Sequence, residues 1–312
     1  MAHRYRVQRL LTAAGLLLGL APSASLACAC GCGVFDVGTS ALLPTSGGAT
    51  AFIEYDFMDQ NRNWSGTSSA PSSANADKEI RTDFMTMGGQ YMFDQDWGVM
   101  AKVPIWDRTF KTDSGSGGVD SFEHAALGDV RLMGVYTGLS DDMSTGVIFG
   151  TKLATGDFTY ANFDRDTQIG TGSTDALLGL YHTGDLTSDD AFVWYGQVMW
   201  DKPLASQGGY TPGSEIDGAV GVYYDNFIFS DGTQITPMLQ MIASNRTRDG
   251  GINADPPNTG YNRLMLSPGV EAHIGNWKIY GDVEFPIYQD MNGNQLVAHQ
   301  LFKFILSRSL DE

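Results

Sequence analysis

The sequence predicts an all-β chain: a transmembrane, antiparallel up-and-down β-barrel of about 12 strands, preceded by a short N-terminal plug or tail. Three observations lead there. Period-two alternation of apolar and polar residues recurs in blocks of about ten residues, as half-buried strands require, while helical periodicity is nearly absent. The connections between blocks alternate short and long, the asymmetry of an outer-membrane barrel with both termini inside. Charged residues make up only 18% of the chain, which is low for a soluble surface of this size and suits an outer wall that meets lipid.

The chain opens with Arg4, Arg6 and Arg9, an apolar run from Leu10 to Leu20, and the small-residue site Ser25-Leu26-Ala27. That order is the n-region, h-region and cleavage site of a signal peptide, so residues 1–27 are expected to be removed on export. The run is too short for a spanning helix, which needs roughly 20 apolar residues. Loss of residues 1–27 moves the formal charge from −17 to −20, because they carry three arginines and no acid. So acidic a chain is a poor partner for nucleic acid, whose phosphates need a basic surface.

Residues 28–49 form a cysteine-bearing segment, expected either to fold into the barrel as a plug or to trail into the periplasm. All three cysteines sit here, Cys28, Cys30 and Cys32. Thiols one residue apart are awkward disulfide partners, and soft thiolates at such spacing suit Cu(I) or Zn(II). Metal capture, intermolecular pairing and a merely tolerated flexible start all remain open at this point. No other cofactor is expected.

The barrel itself is assigned to residues 50–312. Its strands are expected at 50–58, 80–93, 97–108, 127–137, 143–154, 173–183, 190–203, 214–225, 233–243, 261–274, 277–288 and 299–310. The alternation is clearest from Trp277, where Ile279, Val283, Phe285 and Ile287 oppose Lys278, Tyr280, Asp282 and Glu284. The connections at 94–96, 139–142, 184–189, 226–232 and 275–276 are short. Those at 59–79, 109–126, 155–172, 204–213, 244–260 and 289–298 read as long outer loops. Trp97, Trp194, Trp200, Trp277, Tyr91 and Tyr181 fall toward strand ends, where amphipathic rings suit the headgroup layer. Met85, Met87, Met92 and Met100 follow strand alternation, which fits wall or gap-filling side chains better than copper ligands.

If the polar faces point inward, the lumen carries Glu54, Asp56, Lys102, Arg108, Asp129, Arg131, Lys152 and Asp201 from the first seven strands. Glu215, Asp217, Arg263, Glu271, Lys278, Asp282 and Glu284 follow from the rest. These charges either pair across strands to hold the barrel or set a constriction that selects solutes. The acidic stretch 164–170, with Asp157 and Asp175 near it, reads as a solvated loop rather than a calcium site. A Gly-x-Ser-x-Gly elbow is absent and no histidine adjoins a nucleophile motif, so no enzyme is expected. A barrel hydrolase, the third reading, would turn on His124.

Five segments taken in order resemble the MetA-pathway of phenol degradation family. They are Gly128-Asp129-Val130-Arg131, Lys152 to Asp157, Gly170 to Asp175, Ser267 to Glu271, and Phe285 to Tyr288 followed by Asn292-Gly293-Asn294-Gln295-Leu296. The similarity covers nearly all of residues 33–310. It departs at Ala154, where the family shows Pro, and at Asp311-Glu312, which replace a terminal aromatic. The resemblance implies an outer-membrane channel of a Gram-negative cell for small, hydrophobic or aromatic solutes. Outer-membrane lipid, the solute and the outer-membrane assembly machinery are then the expected partners. The alternative is a barrel scaffold whose cysteine-rich start binds a soft metal or a periplasmic partner.

Overall fold

The computed structural model describes residues 35–38, 42–44 and 46–310. The signal segment and Cys28, Cys30 and Cys32 lie outside the described residues. The strands are β1 (Gly48–Gly66), β2 (Ser68–Ser69), β3 (Asp77–Met92), β4 (Trp97–Asp113), β5 (Val119–Leu127), β6 (Arg131–Tyr136) and β7 (Thr145–Lys152). They continue as β8 (Ser173–Asp185), β9 (Phe192–Ser206), β10 (Glu215–Tyr224), β11 (Phe227–Ile228), β12 (Gln234–Arg246), β13 (Tyr261–Ile274) and β14 (Trp277–Ser309).

All pairings are antiparallel, and the β10–β12 ladder joins the two ends of the sheet into a closed barrel. Eleven elements form its wall, and β2, β5 and β11 pair off that path. The last wall element, β14, turns back on itself near Gly293, whose φ of 61° is the left-handed conformation that glycine favours. Its first half pairs with β13 and its second with β1. The two expected strands 277–288 and 299–310 are therefore halves of one element, which gives the wall 12 staves.

The wall is apolar outside. Ile53, Met85, Val99, Leu132, Phe149, Leu178, Val220, Leu239 and Phe285 all stand exposed on it. Their chain neighbours point inward, as the two-residue period of a strand dictates. Of the girdle aromatics, Trp97, Trp200, Trp277 and Tyr91 are exposed. Tyr181 is a correction: it turns inward, is buried, and donates its hydroxyl to Met143 O at 3.2 Å.

Three expected loops are largely strand. β1 runs on to Gly66, β4 and β5 make a hairpin across 109–126, and 289–298 lies within β14. Their Ser, Gly and Asp content reads as loop, but pairing with a neighbour already in place satisfies the backbone and extends the ladder. The expected strand 127–137 is instead interrupted. Leu127 faces Ile105 and Arg131 faces Lys102, so four steps along one strand oppose three along the other. This is a β-bulge, and it turns Asp129 into the interior.

Candidate functional site

The inward faces fall into two layers. Toward the short turns, Met92, Met100, Met133, Val135, Ile148, Leu177 and Met199 form one buried apolar cluster with Phe35, Val37 and Leu43. Unbranched methionines fill the irregular space around a segment that enters from before β1. Met92 and Met100 belong to this filling, whereas Met85 and Met87 face outward.

Residues 35–38 are tied to the wall by polar contacts as well. Lys303 Nζ donates to Phe35 O at 2.8 Å and Val37 O at 3.1 Å, and the Tyr280 hydroxyl donates to Gly38 O at 3.1 Å. Asp36 forms an ion pair with Arg131. These donors compensate carbonyls and a carboxylate that burial would otherwise leave costly.

Above this layer lies a belt of charge. Lys102 Nζ meets Glu54 Oε2 at 3.1 Å, and Lys152 Nζ meets Asp201 Oδ2 at 3.0 Å as well as Asp175. Asp56 and Asp217 are buried, while Glu215 accepts from the hydroxyls of Ser244 and Tyr261. A cavity of ≈110 Å³ opens between these groups, with Phe35, Phe84 and Trp106 as its apolar wall.

Connection 155–172 closes the belt from the other side. Expected as a solvated acidic loop, it folds inward: Thr167 and Ile169 are buried. Two charged side chains hold it. Arg108 donates to Thr167 O at 2.6 Å and Gln168 O at 3.0 Å, while its Nε bonds Thr82 Oγ1 at 2.8 Å. Asp129 accepts from Gly156 N at 2.9 Å, Thr171 N at 2.8 Å and Thr171 Oγ1 at 2.6 Å. Gly156 and Gly170 pack backbone to backbone, so a Cβ on Gly170 would lie 2.3 Å from Gly156 C. Three of the five resembling segments thus meet at one place, brought together by Asp129, Gly156 and Thr171.

The same connection carries Arg165, stacked 4.4 Å from the Tyr210 ring centre, and Asp166, whose carboxylate oxygens are buried without a hydrogen-bond partner. Burial, and then the charges of Asp164 and Asp249, push the Asp166 carboxyl well above its ordinary range. Among the described residues, no group of three or more His, Cys, Asp or Glu is arranged to hold a metal ion.

Of the fifteen candidate lumen residues, Glu54, Asp56, Lys102, Asp129, Arg131, Lys152, Asp201, Glu215 and Asp217 line this one cavity. Arg108 serves the inward connection instead. Asp282 lies in a separate buried network, accepting from Gln240 Nε2 at 2.8 Å, Ser267 Oγ at 2.8 Å and Tyr280 OH at 2.6 Å. Arg263 and Glu284 are buried. Glu271 pairs with His273, and Lys278 lines the mouth near Asn276. The sequence reading missed Lys303, Asp175, Arg246 and Asp36. Lys303 was findable, since it alternates with Phe302 and Phe304 on the polar face of the closing strand. His124 stacks on Tyr160 at 4.1 Å and pairs with Asp157 at 2.9 Å.

No protein-family model matches the sequence, and no curated protein matches it. Solved structures do match. The beta domain of the Bordetella autotransporter BrkA is 10% identical with a TM-score of 0.47, over 85% of this chain and 100% of that one. The Pseudomonas putida toluene transporter TodX is 10% identical with a TM-score of 0.42, over 92% of this chain and 95% of that one. An outer membrane channel from Pseudomonas putida F1 is 11% identical with a TM-score of 0.63, over 87% of this chain and 99% of that one. At that identity the likeness concerns architecture, and the chain has the closed antiparallel barrel fold of which that outer membrane channel is an example.

Proposed function

We propose that the chain is an outer-membrane channel of a Gram-negative cell, passing small solutes, hydrophobic or aromatic ones among them, through a constricted lumen. Residues 35–38 and 42–44 act as its plug. The observation that carries this reading is the inversion of the barrel: large apolar side chains stand on the outer wall, and acidic and basic side chains line an interior cavity of ≈110 Å³. A soluble protein rarely exposes so continuous an apolar surface, whereas a bilayer requires it. Fold likeness to an outer membrane channel, and the resemblance of segments 128–131, 152–157 and 170–175 to the phenol-pathway family, support the same conclusion.

The test is conductance of the refolded protein in planar bilayers, before and after deletion of residues 28–49. Discrete ion steps that widen on deletion are the expected result. Absence of steps in both forms would overturn passage through the lumen.

A further inference from the structure

We infer that the central cavity binds a small organic cation, an alkylammonium group of a few heavy atoms. Its charge faces the carboxylates of Asp56, Glu215 and Asp217, and its methyl groups face Phe35, Phe84 and Trp106. This rests on the reading of the lumen as a solute route, and it names the class of solute.

Charge balance comes first. The cavity is lined by seven carboxylates and four cationic side chains. Each of the four cations is already engaged: Lys102 with Glu54, Arg131 with Asp36, Lys152 with Asp201 and Asp175, and Arg246 with Asp249 at 2.8 Å. Asp249 lies outside the lining, so Arg246 forms its ion pair elsewhere, and Lys152 divides its charge between Asp201 in the lining and Asp175 outside it. Asp56, Glu215 and Asp217 have no ion-pair partner among the described residues. Lys303, which faces Asp56 in the strand register, acts on it electrostatically while donating its ammonium hydrogens to Phe35 O and Val37 O.

Unsatisfied acceptor capacity points the same way. Asp56 is 3% exposed, lines the cavity, and leaves its Oδ1 without a hydrogen-bond donor. A buried carboxyl group with an unsatisfied oxygen is costly, and a cation entering beside it recovers much of that cost. An anion would meet acidic walls and cations already bound. A neutral solute would leave the carboxylates as they are.

Shape limits the size. The cavity of ≈110 Å³ has room for one ligand of only a few heavy atoms. The apolar wall is firm, with Phe84 and Trp106 packed edge to face at 4.8 Å and Phe35 5.5 Å from Phe84. One Trp106 face already carries Arg108 at 5.8 Å, so the aromatic groups serve the ligand as an apolar wall.

Isothermal titration of the refolded full chain in detergent with tetramethylammonium chloride tests the site. Tert-butanol and sodium acetate at matched ionic strength are the comparators. Saturable tetramethylammonium binding at least tenfold tighter than either comparator is expected, weakened at least tenfold in D56N and in D217N. Folding of each variant is checked by its heat-modifiable migration on a gel. Equal binding of tert-butanol, preference for acetate, no saturable heat, or unchanged affinity in both folded variants would each overturn the proposal. If the variants do not fold, the comparison of the three ligands on the unmodified protein decides alone. Cation binding without conductance would overturn the channel and leave the site standing; conductance without cation binding would do the reverse.

Discussion

Lys303 Nζ lies 2.8 Å from the carbonyl oxygen of Phe35, so the closing strand of the barrel grips the segment that precedes the opening one. The contact joins residues far apart in sequence, and it fixes the segment within the buried apolar cluster around Met100, Met133 and Met199.

Replacing this lysine should loosen the plug. K303M removes two charge-assisted hydrogen bonds to backbone carbonyls, each worth about 1.5–3 kcal/mol. Larger and noisier conductance steps are expected, with hydrogen exchange accelerated at residues 35–38. Exchange at the unmodified rate would show that the apolar contacts of Phe35 and Val37 suffice.

The inward connection should depend on Asp129. D129A leaves Gly156 N, Thr171 N and the Thr171 hydroxyl without their shared acceptor, at a cost on the order of 3 kcal/mol. Limited proteolysis is expected to cut within 155–172 in the variant while the strands stay intact. Resistance equal to the unmodified protein would place the anchor on Arg108 alone.

Steric fit gives a sharper contrast. In G170A the new methyl would meet Gly156 backbone atoms at 2.3–2.7 Å, whereas at Gly115 a methyl meets nothing within 4 Å. G170A is expected to destabilise the connection by roughly 1–3 kcal/mol, with G115A near neutral. Similar proteolysis of the two variants would contradict the close packing.

Asp166 makes the connection pH-dependent. Its carboxyl is raised chiefly by burial, so the unfolded chain releases this proton at a lower pH than the folded one. The contribution is intact below the ordinary carboxylate range and is lost as pH rises toward the elevated folded value. Proteolysis at 155–172 should therefore quicken from acid toward neutral pH, and D166N should flatten that trend. An identical slope in D166N would assign the pH response to another group.

The outer wall offers a test of the membrane itself. Val220 is 53% exposed in the middle of β10. On a water-facing surface V220K should change stability by no more than about 0.5 kcal/mol. In a bilayer it should cost about 2–4 kcal/mol, read from denaturant titration in liposomes. A neutral effect there would remove that face from the hydrocarbon.

Much of the architecture was legible in residue order because a strand places successive side chains on opposite faces. The alternation at Trp277–Ile287 and at Glu215–Tyr224 therefore announced both strand and facing. Tyr181 obeyed the same alternation, but its aromatic identity suggested the outer girdle although its parity placed it inside. The stretch 127–137 read as one strand because a bulge has no strong local signature; the extra residue shows only in the register against β4.

By itself the sequence determined the class of fold, the rough positions of its strands and which faces carry charge, since these depend on local periodicity and turn chemistry. Tertiary structure alone decided that the interior is divided into a methionine-filled layer and a charged cavity. It also decided that residues 155–172 fold inward onto Asp129 and Arg108, and that residues 35–38 sit beneath Lys303. The reason is physical: closing a sheet of 12 staves brings together side chains from strands distant in sequence. Their pairing depends on register and barrel diameter, quantities that no local stretch of residues encodes.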